Sequence, residues 1–214
     1  MSADAAIVDY GIGNLLSVRR AFEYCGASVL VSDNPQPLLA APRLVLPGVG
    51  AFAAGIEALV ERKLDACVRE FAASGKPLLG ICLGMQLLAS VSMEFGEHRG
   101  LGIIPGRVEA IPNTNAAGQP HKVPHIGWTG ITVPRGISGW AGTILSNVAP
   151  GDAVYLVHSF AMQPSSDAHR LADCDYNGRT IRAAIQKDNV CGTQFHPEKS
   201  GAVGLTIVRG FLAA

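Results

Sequence analysis

From residue 5 to residue 88, short apolar runs alternate with stretches whose apolar side chains recur every three or four positions, and that alternation leaves few folds open. Strands joined by helical crossovers build a parallel sheet covered by helices on both faces. Residues 5–9 read as a first buried strand. After the Gly11-Ile12-Gly13 turn, Leu15, Val18, Phe22 and Cys25 fall at helical spacing, and Gly26 supplies a left-handed stop. Residues 28–31 and 43–46 read as the next two strands. Residues 51–73 read as one helix carrying Ile56, Leu59, Val60, Cys67 and Phe71, and residues 76–81 as a fourth strand. That strand runs without a polar break into Cys82-Leu83-Gly84-Met85-Gln86-Leu87-Leu88, a strand passing directly into a helix.

Beyond residue 94 the pattern changes to short strands broken by glycine and proline, expected as antiparallel additions to the same domain. Residues 112–119 are small and polar, an exposed, mobile loop. Residues 154–160, 180–186 and 190–195 supply late strands, and residues 203–211 a closing helix. With 214 residues, the chain is expected to form one α/β domain, a mostly parallel central sheet with helices on both faces and an antiparallel extension.

Charge narrows the functions. Acidic and basic residues balance at 17 each, so no net field draws the chain to nucleic acid or an anionic membrane. No segment approaches the roughly 20 apolar residues that span a bilayer, and the start lacks a basic, apolar leader. Five cysteines, odd in number and without a C-x-x-C pair, argue against a disulfide framework or a thiolate metal site. A soluble, cytoplasmic protein with reduced thiols is expected.

Gly80-Ile81-Cys82-Leu83-Gly84 has the small-x-nucleophile-x-small form of a nucleophile elbow, where a sharp strand-to-helix turn projects the middle side chain and tolerates little bulk beside it. The helix start beside Cys82 favours thiolate over thiol and makes the Leu83 N–H an oxyanion donor. The bland alternative is an inert buried cysteine, which the flanking glycines disfavour. A thiolate nucleophile needs a base, and the base an orienting group. Gln194-Phe195-His196-Pro197-Glu198 offers both: in an extended segment His196 and Glu198 share a face. The other histidines have weaker claims. His98, His121 and His169 lie in loop-like stretches, His158 follows a strand without an adjacent acid, and Pro124 between His121 and His125 argues against a helical metal pair.

Leu46-Pro47-Gly48-Val49-Gly50 is a glycine-rich turn at the carboxyl end of the third strand, the edge where ligands gather in open parallel sheets; a plain turn is the other reading. Gly11-Ile12-Gly13 invites a dinucleotide reading, but Leu16 stands at the third glycine position, so no nicotinamide or flavin is assigned.

The motifs Gly-Ile-Cys82-Leu-Gly-Met-Gln86 and Gln-Phe-His196-Pro-Glu198 together resemble the two signatures of class I (triad) glutamine amidotransferases. Four further stretches narrow the resemblance: Asp9-Tyr10-Gly-Ile-Gly-Asn14-Leu, Leu46-Pro-Gly-Val-Gly50-Ala-Phe52, Glu94-Phe-Gly-Glu-His98 leading to Gly-Leu-Gly-Ile-Ile-Pro-Gly106, and Lys122-Val-Pro-His-Ile-Gly-Trp128. These are similar to the glutaminase subunits of imidazole glycerol phosphate synthases, from about Ala6 to the C-terminus. The resemblance implies that Cys82 attacks the glutamine side-chain amide, His196 shuttles protons, Glu198 orients His196, and a glutamyl thioester is hydrolysed. It implies that the ammonia passes within a heterodimer to a (βα)8-barrel cyclase subunit, there forming imidazole glycerol phosphate and the aminoimidazole carboxamide ribotide of histidine biosynthesis. No metal or organic cofactor is implied. Gly50, Gln86, Ser159 and Phe160 would hold glutamine, the Gly48-Val49 region would complete the oxyanion hole after a partner-driven rearrangement, and Asn14 and Lys199 would face the cyclase.

Two positions depart from the pattern. Phe160 stands where the family has tyrosine, and Thr129 where it has asparagine after Gly-Trp. Backbone contacts to glutamine at Ser159 and Phe160 would make the first change cheap. A non-catalytic module that merely binds the cyclase would be expected to have lost Cys82, His196 or Glu198, and all three are present. Two rival readings remain at this stage: a glutaminase subunit of another synthase, such as the one making pyridoxal phosphate, and a stand-alone γ-glutamyl hydrolase. The first lacks support from the four narrowing motifs; the second would need substrate loops or a secretion signal that the sequence does not show.

Overall fold

The computed structural model describes residues 3–214. In chain order the first half comprises β1 (Ala5–Val8), α1 (Leu15–Tyr24), β2 (Val29–Ser32), α2 (Pro35–Ala40), β3 (Leu44–Leu46), α3 (Phe52–Glu61), α4 (Leu64–Ala73), β4 (Leu78–Ile81) and α5 (Leu83–Leu87). The second half comprises β5 (Val91–Ser92), β6 (His98–Arg99), β7 (Gly106–Ala110), β8 (His125–Thr132), β9 (Ala153–His158), β10 (Phe160–Pro164), β11 (Arg170–Tyr176), β12 (Arg179–Lys187), β13 (Val190–Thr193) and α6 (Gly201–Leu212).

A nine-stranded sheet in the order β2-β1-β3-β4-β13-β12-β11-β8-β9 forms the spine. Its first five strands are mutually parallel and the pairings from β13 to β9 are antiparallel, so the extension adds four strands to the five of the parallel part. Period-two alternation divides the apolar residues of the parallel strands between two cores. Ala5, Ile7, Val45, Leu79 and Ile81 face α1 and α6, where Phe22 meets Phe211 edge-on at 6.0 Å. Ala6, Val8, Leu44, Leu46 and Leu78 face the other side, packed by Leu59, Leu64, Phe71 and Leu87 from α3, α4 and α5.

The expected single helix over 51–73 is two helices. The apolar stripe takes a five-residue step from Leu59 to Leu64, which no continuous helix can keep on one face, and Lys63 makes the break in the left-handed region at φ 58°. The short α2, opened by Asn34 accepting from the Gln36 N–H at 3.0 Å, and β11 were not anticipated. The expected strand over 154–160 splits at Ser159, because β9 belongs to the large sheet and β10 pairs with β7 in a four-stranded second sheet, β10-β7-β5-β6. The additions are not all antiparallel either: β5 and β7 run parallel. The 112–119 loop, expected to be mobile, is exposed but tied down. A Thr114–Pro120 bridge closes it, Asn115 Oδ1 accepts from the Ala117 and Gln119 N–H groups, and Arg179 donates to Thr114 Oγ1.

Candidate active site

The elbow forms where β4 ends. Cys82 sits at φ 54°, ψ −110°, a strained conformation for a non-glycine residue, held between the Ile81 end of the strand and the start of α5. Its N–H donates to the Thr193 carbonyl of neighbouring β13 at 2.7 Å, and its own carbonyl accepts the Gln86 N–H. The small neighbours are required by space. A Cβ on Gly80 would lie 2.8 Å from the Gly84 carbonyl oxygen, and one on Gly84 would collide with the Leu46 carbonyl oxygen of β3.

β13 runs parallel to β4, and the chain leaving it brings Gln194, His196 and Glu198 to the same edge. His196 and Glu198 do meet, but not through the expected extended segment. Pro197–Lys199 is a 3₁₀ turn, with Pro197 at its first position, and the turn curls Glu198 back so that Oε1 lies 2.8 Å from His196 Nδ1. Their side chains are only 3 % and 2 % exposed. Ser200 locks the turn to β9: its hydroxyl donates to the His196 carbonyl at 2.7 Å and accepts the Tyr155 N–H at 3.0 Å. Burial pulls the His196 ring down, but the nearby Cys82 sulfur and the Glu198 carboxylate outweigh it and raise the ring's pKa from 6.5 to about 9. His196 Nε2 is buried and has no hydrogen-bond partner.

Cys82 and His196 open into one cavity of about 400 Å³, lined also by Val49, Gly50, Leu83, Gln86, Ser159 and Phe160. The four residues expected to bind glutamine therefore reach it, as do Leu83 and Val49 of the expected oxyanion hole, while Gly48 does not line it. A larger cavity, about 480 Å³, opens at the opposite end of β4 and β13 beside Pro77 and Asn189 and holds none of those residues. Cys82 is 7 % exposed. The other thiols are unsuited to react: burial pushes Cys25 upward, Cys67 to about 11, and Cys174 and Cys191 to about 12. Among the described residues no group of three or more His, Cys, Asp or Glu is placed to hold a metal ion.

The turn after β3 is pinned from below. The Tyr10 hydroxyl donates to the Pro47 carbonyl at 2.7 Å, and a side chain on Gly48 would strike that hydroxyl. Gly50 takes φ 99°, which a glycine adopts freely. Gln86 lines the cavity with both amide hydrogens committed, one to the Phe160 carbonyl and one to Gln194 Oε1, each at 3.0 Å. At Ser159 and Phe160 the carbonyls are occupied internally, by the Ile111 N–H and by Gln86 with His158 respectively. The Phe160 ring packs edge-on against Phe95 at 5.8 Å, a contact that needs no hydroxyl.

Sequence reasoning missed three participants. Gln194 Nε2 lies 3.8 Å from the Cys82 sulfur; its place two residues before His196, on the same face of an extended segment, was the available signal. Glu94 lines the cavity and accepts the Phe52 N–H at 2.6 Å, supplying the cap that α3 lacks locally. His158, set aside for want of an adjacent acid, lines the cavity opposite His125, its cross-strand partner. Of the two expected partner-facing residues, Asn14 is exposed and caps α1 through the Ser17 N–H at 3.3 Å, and Lys199 is exposed beside the Glu198 turn.

Residues 6–213 match the model of the glutamine amidotransferase class-I family. The chain is 50% identical over 210 residues to imidazole glycerol phosphate synthase subunit HisH 1 of Legionella pneumophila (strain Lens), covering 98% of this chain and 99% of that protein. It is 46% identical to the HisH subunit of Syntrophotalea carbinolica, covering 96% and 97%. Among solved structures, a glutamine amidotransferase superposes with a TM-score of 0.72 at 18% identity, covering 97% of each chain, and a chain of PurLQS from Thermotoga maritima with 0.70 at 20%, covering 100% and 99%. The chain belongs to the class-I glutamine amidotransferase family, among the HisH subunits of imidazole glycerol phosphate synthase.

Proposed function

We propose that this chain is the glutaminase subunit of an imidazole glycerol phosphate synthase, hydrolysing glutamine to glutamate and ammonia for a cyclase partner. The observation that carries the reading is the convergence of the strained Cys82 elbow and the buried His196–Glu198 pair on one cavity. Cys82 Sγ attacks the side-chain amide carbon of glutamine, and the developing oxyanion is met by the Leu83 N–H and, after movement of the Pro47–Gly50 turn, by Val49. His196, protonated at neutral pH, gives its proton to the departing nitrogen, which leaves as ammonia. The same ring then takes a proton from the water that cleaves the thioester, and glutamate departs with Cys82 regenerated. Glu198 holds the ring through Nδ1 and favours its charged form. Gly50, Gln86, Ser159 and Phe160 form the glutamine-binding wall.

The partner would be a (βα)8-barrel cyclase in a one-to-one complex. Exposed apolar side chains support a docking face beside the triad: Leu16 on α1 and Ile126 and Trp128 on β8 are each 58% exposed. The Trp128 ring approaches Gly201, three residues past Glu198, and packs edge-on against Tyr155 at 6.0 Å. Asn14 and Lys199 would belong to the same face. Among the described residues no helix is long and apolar enough to cross a membrane. Five unpaired thiols suit a reducing compartment, and the cytoplasm is the proposed location.

The test is glutamate release from glutamine by the chain alone, then with the cyclase and its phosphoribulosyl ligand, with Cys82→Ala as control. Near silence alone and strong, Cys82-dependent activity in the complex is the expected result. Full activity alone would reassign the chain as an uncoupled hydrolase, and silence in both would send the search to another synthase.

A further inference from the structure

Antiparallel pairing of β8 with β9 sets His125 directly opposite His158, both side chains on one face and both buried, at 2 % and 6 % exposure. The rings lie 5.2 Å apart, and Tyr176 stacks on His125 at 3.9 Å with 21° between planes. Thr129, four residues along β8 on the same face, completes a line of contacts: Thr129 Oγ1 to His125 Nε2 at 3.0 Å, His125 Nδ1 to His158 Nε2 at 3.3 Å, and His158 Nδ1 to the Phe160 carbonyl at 2.9 Å.

The proton positions follow from one end. A carbonyl can only accept, so His158 carries its hydrogen on Nδ1. Burial lowers the pKa of this ring to about 4, and that of His125 is lowered for the same reason with help from His121, so both rings are neutral at pH 7. A neutral ring has one hydrogen, which leaves His158 Nε2 bare to accept from His125 Nδ1–H. His125 Nε2 is then bare in turn and accepts from the Thr129 hydroxyl. No other neutral arrangement satisfies all three contacts.

We propose that Thr129, His125 and His158 are positioning residues for the glutamine site, a one-directional hydrogen-bond chain that fixes the Phe160 backbone. The proposal rests on the glutaminase reading above. Phe160 is the first residue of β10, placed where the chain leaves one sheet for the other, and it has only Ser159 between it and β9. Its carbonyl takes two donors from opposite sides: Gln86 from the helix that follows the nucleophile, and His158 from the antiparallel half of the sheet. The cavity wall is thereby fixed relative to Cys82 from both directions. With its Nε2 filled, His158 is also no acceptor for the proton of nearby His196, which stays where the chemistry needs it. The departure at Thr129 fits this chain, because a threonine hydroxyl and an asparagine amide can each donate to His125 Nε2.

Thr129→Val keeps the shape and removes the donor. In the complex with the cyclase, KM for glutamine should rise about three- to tenfold, the worth of one hydrogen bond, with kcat changed less than about twofold. Thr129→Ser and Thr129→Asn should restore KM. Long-range ¹H–¹⁵N spectra of the histidine rings give a second readout that needs neither glutamine nor partner: His125 and His158 should both carry hydrogen on Nδ1 in the unsubstituted chain. In Thr129→Val the hydrogen of His125 should stay on Nδ1, held by His158, while its Nε2 resonance moves downfield on losing the hydroxyl donor. Hydrogen on Nε2 of either ring in the unsubstituted chain, an unchanged KM in Thr129→Val, or a Thr129→Ser variant as impaired as Thr129→Val would each overturn the chain. Absence of Cys82-dependent glutamine hydrolysis with the cyclase present would instead overturn the glutaminase reading and, with it, any role for the chain in glutamine binding, even with the Nδ1 assignments intact.

Discussion

Replacing Glu198 by glutamine keeps an acceptor oxygen beside His196, removes the charge and puts an amide donor in place of the second oxygen. The carboxylate oxygen is 2.8 Å from Nδ1, with both side chains almost completely withdrawn from water. At that separation, with an effective dielectric constant near 20, the bare attraction is about 6 kcal/mol, an upper bound from which the cost of burying both charges must be subtracted. An opposite charge at this range moves a pKa by about one to three pH units. His196 should therefore fall from about 9 toward roughly 6–8, with Cys82 supplying the remaining upward push. The amide transfer needs His196 protonated, so the alkaline limb of kcat/KM for glutamine in the complex reports this ring. That limb should move down by about one to three pH units in Glu198→Gln, with kcat lower by about 10²- to 10⁴-fold because the amide can also present its nitrogen and hold the wrong tautomer. Stability follows with a definite sign. A ring raised from 6.5 to about 9 on folding contributes stability that is full below pH 6.5 and is lost as pH climbs through 9, and this alkaline loss should shrink in the variant. An alkaline limb in the same place in both proteins would refute the claim that Glu198 holds the ring charged.

Gly84→Ala should destabilise the fold by about 1–3 kcal/mol or prevent folding, because its methyl collides with the Leu46 backbone carbonyl; urea denaturation measures it. Glu94→Ala removes the distant cap of α3 at the Phe52 N–H and should cost about 1–2 kcal/mol in the same assay, whereas Glu97→Ala, on an exposed neighbour, should cost almost nothing. Gln194→Leu removes the amide beside the Cys82 sulfur and should slow alkylation of Cys82 by iodoacetamide at neutral pH by a few-fold, read by mass spectrometry of the modified peptide. In the unsubstituted folded chain that reagent should label Cys82 well ahead of Cys67, Cys174 and Cys191, whose thiols burial holds protonated.

The parallel half was legible because β1, β3 and β4 are short apolar runs bounded by turn residues and α1, α3 and α4 show stripes at helical spacing, whereas α2, six residues with only Leu38 buried, is too short to show one. The same rule fused α3 and α4, because counting Val60, which is 52% exposed, hid the step in the buried stripe between Leu59 and Leu64. β11 escaped because Arg170, Asp173 and Asp175 interrupt its apolar residues; Arg170 pairs with Asp173 along the same strand, and a charged run looks like a loop until its partner is known. At the site, Cys82, His196 and Glu198 were legible from local motifs. His158, Gln194 and Glu94 were not, because their meaning lies in partners 33, 112 and 42 residues away along the chain.

Those long-range partners show why the site needs the antiparallel half at all. β4 and β13 alone would bring Cys82 and His196 to one edge, as neighbouring parallel strands do with the ends of their loops. Nothing in that pair, however, encloses a substrate. Enclosure comes from the Ser159 switch between sheets, whose position is set by β8 and β9. Along β8 the alternation of faces divides the work: His125 and Thr129 point inward to the wall of the cavity, while Ile126 and Trp128 point outward on the proposed docking face. A partner pressing on Trp128 would bear on the strand that holds the Phe160 carbonyl through His125 and His158, and through Tyr155 on the strand to which Ser200 ties the His196 turn. Both the base and the substrate wall are therefore within one cross-strand neighbour of the surface where a cyclase would sit, close enough for docking to alter the geometry of each without any change at Cys82 itself.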